Sequence, residues 1–273
     1  MNSCKKTKNK IILLAVVPLF LTLGGIILRM VNLISFYDSA IGYYEKAALP
    51  TVMNIFFIVS IIVFASVCFF SEKKNIISES FANTSFFKVV CVICSIAMAV
   101  CALNCFSDNS KALLAILVPI ASVCSVIFFV LFLLKKQPDY SAIFALFPVA
   151  LCAMILAVTY FDVKVEMNSP NKMLIHFACI ASMLAFVSEA RLLADNKKRK
   201  TYFFFLASAL FLTGVSSIPS IVLYFSNTFT YTYVKYDCIL LVLFVYFVGR
   251  LLTLLSDCAP CSCEPNTDDT QTE

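Results

Sequence analysis

Long apolar runs separated by short polar breaks organise this chain from end to end. Eight runs of about 20 residues stand out, at 11–32, 51–71, 86–106, 112–134, 141–161, 173–194, 202–225 and 238–256. A helix rising 1.5 Å per residue crosses a ~30 Å hydrocarbon core in about that length. Backbone polar groups find no water in lipid, so a spanning segment is a helix or part of a closed barrel. The ~10-residue alternating stretches of a barrel are absent. The pattern predicts an all-α fold, a polytopic transmembrane helix bundle of about eight spans occupying 11–256. It predicts a basic segment at 1–10 and an acidic, cysteine-containing tail at 257–273, disordered because it lacks apolar residues to form a core. The first run is too long for a signal peptide and lacks a small-x-small cleavage site, so it is expected to remain as a helix.

Composition agrees with this reading. Hydrophobic residues make up 61% of the 273 residues, charged residues 14%, and mean hydropathy is +0.93. Soluble domains carry roughly 25% charged residues, so this chain has too few to cover a water-facing surface. Orientation follows from the 21 Lys and Arg residues. The N-terminal side holds 15, namely Lys5, Lys6, Lys8, Lys10, Lys73, Lys74, Lys88, Lys135, Lys136, Arg191, Lys197, Lys198, Arg199, Lys200 and Arg250. The opposite side holds 6, namely Arg29, Lys46, Lys111, Lys164, Lys172 and Lys235. By the positive-inside rule both termini are expected in the cytoplasm, with the protein in the cell membrane.

Several matches suggest a four-plus-four parallel repeat. Ala15-Val16-Val17-Pro18 in the first run mirrors Ala145-Leu146-Phe147-Pro148 in the fifth. Tyr37-Asp38 mirrors Phe161-Asp162, and Phe70-Ser71-Glu72 mirrors Val187-Ser188-Glu189. The same matches also arise if Pro, Asp and Phe simply mark span ends in any Phe-rich membrane chain.

Charges inside apolar runs are the candidate chemistry, because an ionisable group at depth costs about 2.5–3.5 kcal/mol on insertion scales and therefore seeks a partner. Glu189 and Arg250 interrupt the sixth and eighth runs at similar depth and form the candidate buried ion pair; otherwise Glu189, like Glu72, stands solvated at the headgroup boundary. Arg191 lies two residues from Glu189, about 200° around a helix, and is a weaker candidate, as are Glu72 and His176. As the single His, His176 is expected to make a helix–helix hydrogen bond. Pro18, Pro119, Pro148 and Pro219 fall inside runs, where each frees a carbonyl. Ser216-Ser217-Ile218-Pro219-Ser220 is the most polar of these sites, open to use as a solute path or for close packing. Cys258, Cys261 and Cys263, with Cys4, total four thiols, the number a structural zinc takes. Their spacing lacks paired knuckles, so a reduced tail is expected.

No nucleophile elbow, zinc-protease helix or phosphate-binding loop is present. No catalytic residue, cofactor or metal is assigned, and no nucleic acid is expected. The partner is the lipid bilayer, with a membrane-protein partner or a second copy left open. The Phe161-Asp162, Met167-Asn168-Ser169-Pro170-Asn171-Lys172 and Ser188-Glu189-Ala190-Arg191 elements resemble unannotated multi-pass membrane proteins of Gram-positive anaerobes, over the second half of the chain. That resemblance implies the membrane fold and no activity. Two function classes follow: a non-enzymatic protein that transports or senses a small molecule or anchors a partner, and an intramembrane enzyme acting on a lipid or lipid-linked substrate.

Overall fold

The computed structural model describes residues 2–38, 43–45, 48–70, 84–106, 113–134, 141–163, 165–166, 168–194, 199–226 and 233–256. The helices are α1 (Asn2–Ser35), α2 (Ala48–Phe70), α3 (Ser85–Phe106), α4 (Leu113–Leu131), α5 (Ser141–Phe144), α6 (Leu146–Phe161), α7 (Pro170–Leu193), α8 (Arg199–Phe225) and α9 (Val234–Ser256). Two short strands, β1 (Tyr37–Asp38) and β2 (Tyr43–Tyr44), pair antiparallel after α1. The fold is an all-α bundle. Seven helical spans are long and apolar enough to cross a membrane; in α4 the described apolar stretch, Ile116–Leu131, is shorter.

Pro148 divides the fifth apolar run. Proline lacks an N–H and its ring crowds the carbonyl four residues back, here that of Phe144. The chain answers with a turn at Ala145, so α5 and α6 together make one broken span. Pro18, by contrast, lies within the continuous α1.

The helices run alternately, which gives the bundle two ends: a hairpin end, beside β1 and β2, and a tail end, where α2, α4, α7 and α9 finish. α8 is the centre, packed against α7, α9, α1 and α2. Of its apolar window 78% is buried, against 22% for α2. The sequence explains this position. α8 carries Ala207, Ser208, Ala209, Thr213, Gly214, Ser216, Ser217 and Ser220, small residues that let neighbouring backbones approach. Three of the hydroxyls are satisfied within the helix: Thr213 Oγ1 donates to the Ala209 carbonyl at 2.6 Å, Ser217 Oγ to the Thr213 carbonyl at 2.7 Å and Ser220 Oγ to the Ser216 carbonyl at 3.1 Å. Such bonds remove a polar cost that lipid would otherwise impose.

The packing does not follow the expected four-plus-four repeat. α2 packs on α1 and α8, whereas its counterpart α7 packs on α6 and on the helix that follows it, α8. The extensive α1–α8 contact has no equivalent between α6 and α3 among the described residues.

Candidate functional site

Two buried charged clusters lie at opposite ends of the α7–α8–α9 unit. At the tail end, Glu189 in the last turns of α7 is 1% exposed and Arg250 of α9 is 3% exposed. Arg250 Nη2 pairs with Glu189 Oε1. Tyr246, one helical turn before Arg250, donates its hydroxyl proton to the same Glu189 oxygen at 2.7 Å and accepts from Arg250 Nε at 3.0 Å. The guanidinium carbon stands 4.1 Å from the Phe87 ring centroid on α3 and 4.4 Å from that of Phe132, just past α4. Ring faces carry negative quadrupole density, so this aromatic box stabilises the cation where water does not reach. Phe128, Phe129 and Phe186 pack against the Tyr246 ring and close the box.

At the hairpin end the centre is Arg29 of α1, 1% exposed. Pro219 has no N–H to give the carbonyl of Val215, four residues earlier. Arg29 Nη1 supplies the missing donor, reaching both the Val215 and Ser216 carbonyls. Its Nη2 donates to Asn171 Oδ1 at 3.0 Å and to Ser220 Oγ at 3.1 Å. Ser216 Oγ in turn donates to Asp237 Oδ1 at 3.3 Å, from the first turn of α9. Asp237 is fully buried. Asn32, one turn beyond Arg29, is also fully buried; its amide nitrogen donates to the Leu28 carbonyl at 3.0 Å, and its Oδ1 meets no donor among the described residues. Lys172, 1% exposed, ties the start of α7 to the preceding loop through the Asp162 and Val165 carbonyls at 2.8 and 3.2 Å.

The β1–β2 hairpin adjoins this cluster. The Tyr44 phenol lies close enough to Arg29, and the Tyr37 phenol to Asn171 and Ser169, to feel them electrostatically. Burial raises both phenol pKa values above 10.0, with Arg29 pulling in the opposite direction. Half-buried Tyr43 donates to Glu166 Oε2 at 2.8 Å, and this hydrogen bond to a carboxylate raises its pKa.

The structure therefore brings Glu189 and Arg250 together. It leaves Arg191 exposed on the other side of α7. His176 Nε2 lies 3.0 Å from Thr159 Oγ1, joining α7 to α6. Because Thr159 donates its proton to the Ile155 carbonyl, its oxygen is the acceptor for the imidazole. Glu72, Cys258, Cys261 and Cys263 lie outside the described residues. Among the described residues no group of three His, Cys, Asp or Glu could hold a metal.

Sequence reasoning missed the hairpin-end cluster. Arg29 and Lys172 entered only as loop charges, and Asn32, Asn171 and Asp237 were passed over. The available signal was Arg29 and Asn32 three residues apart within an apolar run, on one helix face. Comparison with family models, with curated proteins and with solved structures finds no match. What the two clusters do is therefore argued from their own chemistry. The chain is an integral, multi-pass membrane protein with an all-α bundle.

Proposed function

We propose that the protein is non-enzymatic and senses or moves a small polar solute through the unit formed by α1, α7, α8 and α9. The observation that carries this reading is the hairpin-end cluster, where the carbonyl that Pro219 leaves without its helical donor is met by a buried guanidinium beside a buried carboxylate. Helix carbonyls released from backbone pairing are one way in which membrane transporters build polar sites inside apolar bundles. The runner-up, an enzyme acting on a lipid, needs two converging catalytic groups. Glu189 and Asp237 are the only acidic residues within the described helices. They belong to opposite clusters, and the 13 residues from Asp237 to Arg250 place those about 20 Å apart along α9.

We place the tail end in the cytoplasm of a bacterial cell, in keeping with the resemblance noted above. Arg250, Arg29 and Lys172 are buried in the bundle. Leaving them out of the loop count turns 15 against 6 into 14 against 4, a stronger asymmetry.

The test is a melting-temperature screen of the purified protein in detergent against amino acids, sugars, nucleosides, inorganic anions and small organic cations. One class should stabilise saturably, and Asp237→Asn should remove the effect. If no class does, the solute reading fails and anchoring of a partner protein takes its place. Turnover of added phospholipid, read by mass spectrometry, would favour the enzyme instead.

A further inference from the structure

Three cysteines gather where α3 and α9 meet towards the hairpin end. The two helices pack antiparallel, and close contacts fix their alignment. Gly249 of α9 lies so near α3 that a Cβ there would stand 2.7 Å from Val90 Cγ1. Eleven residues up α3 from Val90 is Cys101, and eleven residues back along α9 from Gly249 is Cys238. Eleven residues make almost three helical turns. Each cysteine therefore lies on the stripe that makes the Val90–Gly249 contact, and the two stand at the same level. Cys94 Sγ, which donates to the Val242 carbonyl at 3.7 Å, gives the same alignment to within one turn. In keeping with it, Cys101 feels the Cys238 thiol more strongly than that of Cys105, one turn away on its own helix. Cys101 and Cys238 are half-buried free thiols, whereas Cys105 is buried.

We propose that Cys101 and Cys238 form a redox site, oxidised by an extracellular disulfide to a bond that joins α3 to α9. The proposal is independent of the solute reading. For the source of the oxidant it rests on the orientation proposed above, which puts this end outside the cell, where disulfides persist. One thiolate attacks a sulfur of the oxidant, whose own disulfide breaks and releases one thiolate. The second cysteine attacks the mixed disulfide, forming the Cys101–Cys238 bond and expelling the other half of the oxidant. Two electrons pass to the oxidant, and the two thiol protons go to its two halves. The bond holds the first turns of α9 against α3. Asp237 precedes Cys238 and accepts from Ser216 Oγ of α8 at 3.3 Å, so the redox state also sets how firmly that carboxylate is kept in the hairpin-end cluster.

The probe is dithiodipyridine, a membrane-permeant disulfide, on the full-length protein in detergent, followed by alkylation and peptide mapping without reduction. A Cys101–Cys238 linked peptide, two hydrogens lighter than its parts, should appear, and dithiothreitol should remove it. Oxidation should raise the melting temperature by roughly 5–10 °C and slow amide exchange over the first turns of α9. In Cys101→Ser the rise should vanish while Cys238 keeps one pyridylthio group; Cys101→Ala gives the same reading should the serine variant not fold. A Cys105–Cys238 link would overturn the alignment, and absence of any linked peptide in the wild type would overturn the site. In intact cells, thiols blocked before lysis should leave Cys101 and Cys238 linked. The reporter fusion after Glu45 reads the orientation separately. A pair found reduced at an end that scores external would overturn the redox site, and one found reduced at an end that scores cytoplasmic would overturn the orientation and with it the extracellular oxidant.

Discussion

Arg250 shows how one charge is held in an apolar interior. Its guanidinium is satisfied three ways, by the Glu189 carboxylate, the Tyr246 hydroxyl and the faces of Phe87 and Phe132. Removing one member of a desolvated pair strands the other and costs about 3–5 kcal/mol, whereas replacing both by apolar groups costs far less. Glu189→Gln and Arg250→Leu should therefore each lower the melting temperature, and the double variant should recover part of the loss. Additive losses would show that the pair is not a coupled unit. A second prediction concerns pH. Tyr37 and Tyr44 have folded-state pKa values above the usual 10.0, chiefly through burial. A raised acid pKa means the folded state favours the protonated phenol. Stability is then fully present below pH 10 and declines as pH rises through the folded values. The Tyr37→Phe, Tyr44→Phe double variant should flatten that alkaline decline in melting temperature; an unchanged slope would place the titrating groups elsewhere. At this scale the legibility of the candidate residues differed. Glu189 and Arg250 interrupt otherwise apolar runs and are conspicuous. Arg29 sits about 9 Å from the end of its helix, where a sequence reader assigns it to the loop.

At the scale of elements, adjacent glycines on α1 differ in the room around them. A Cβ at Gly25 would lie 2.7 Å from Val215 Cγ2 and 3.0 Å from the Phe211 ring on α8, whereas at Gly24 the nearest atom is Phe56 Cζ at 3.4 Å. Val215 is β-branched and cannot swing away easily. Gly25→Ala should destabilise by about 1–3 kcal/mol through overpacking. Gly24→Ala should be neutral or stabilise by up to ~1 kcal/mol, since alanine is the better helix former. Thermal melts of the two variants in one detergent check this, and equal effects would show that α1 and α8 are not in close contact at Gly25. The prolines make the same point about context. Pro148 and Pro219 both free a carbonyl, yet the first breaks its span at Ala145 and the second lies in the unbroken α8, where Arg29 supplies a replacement donor.

For the whole molecule, the proposed threading is tested by reporter fusions. Fusions after Lys10, Lys136 and Lys200 should score cytoplasmic and those after Glu45 and Glu166 external; the reverse pattern would overturn the orientation. The peripheral position of α2 carries a further expectation. With 22% of its apolar window buried, it contributes less to the core than α8. Apolar substitutions on its outward positions Ile55, Ile58 and Ile62, all exposed, should each change stability by no more than about 0.5 kcal/mol, and larger losses in melts would show that this face is covered.

The sequence by itself determined the all-α membrane architecture and the spans to within a few residues, because lipid imposes a length and a polarity that are visible one residue at a time. It also exposed the charges deep within runs, since each one violates that polarity. Only the tertiary structure decided that α8 is the centre, that α1 packs on it, and that the matched motifs do not amount to a repeat. Between helices in lipid, apolar side chains are nearly interchangeable with acyl chains, so hydropathy carries little record of which helix meets which. Neighbours are chosen instead by close fits, such as Gly25 against Val215, and by polar atoms that need partners, such as the Val215 carbonyl awaiting Arg29. Both are properties of pairs 190 and 186 residues apart in the chain, and no local pattern contains them.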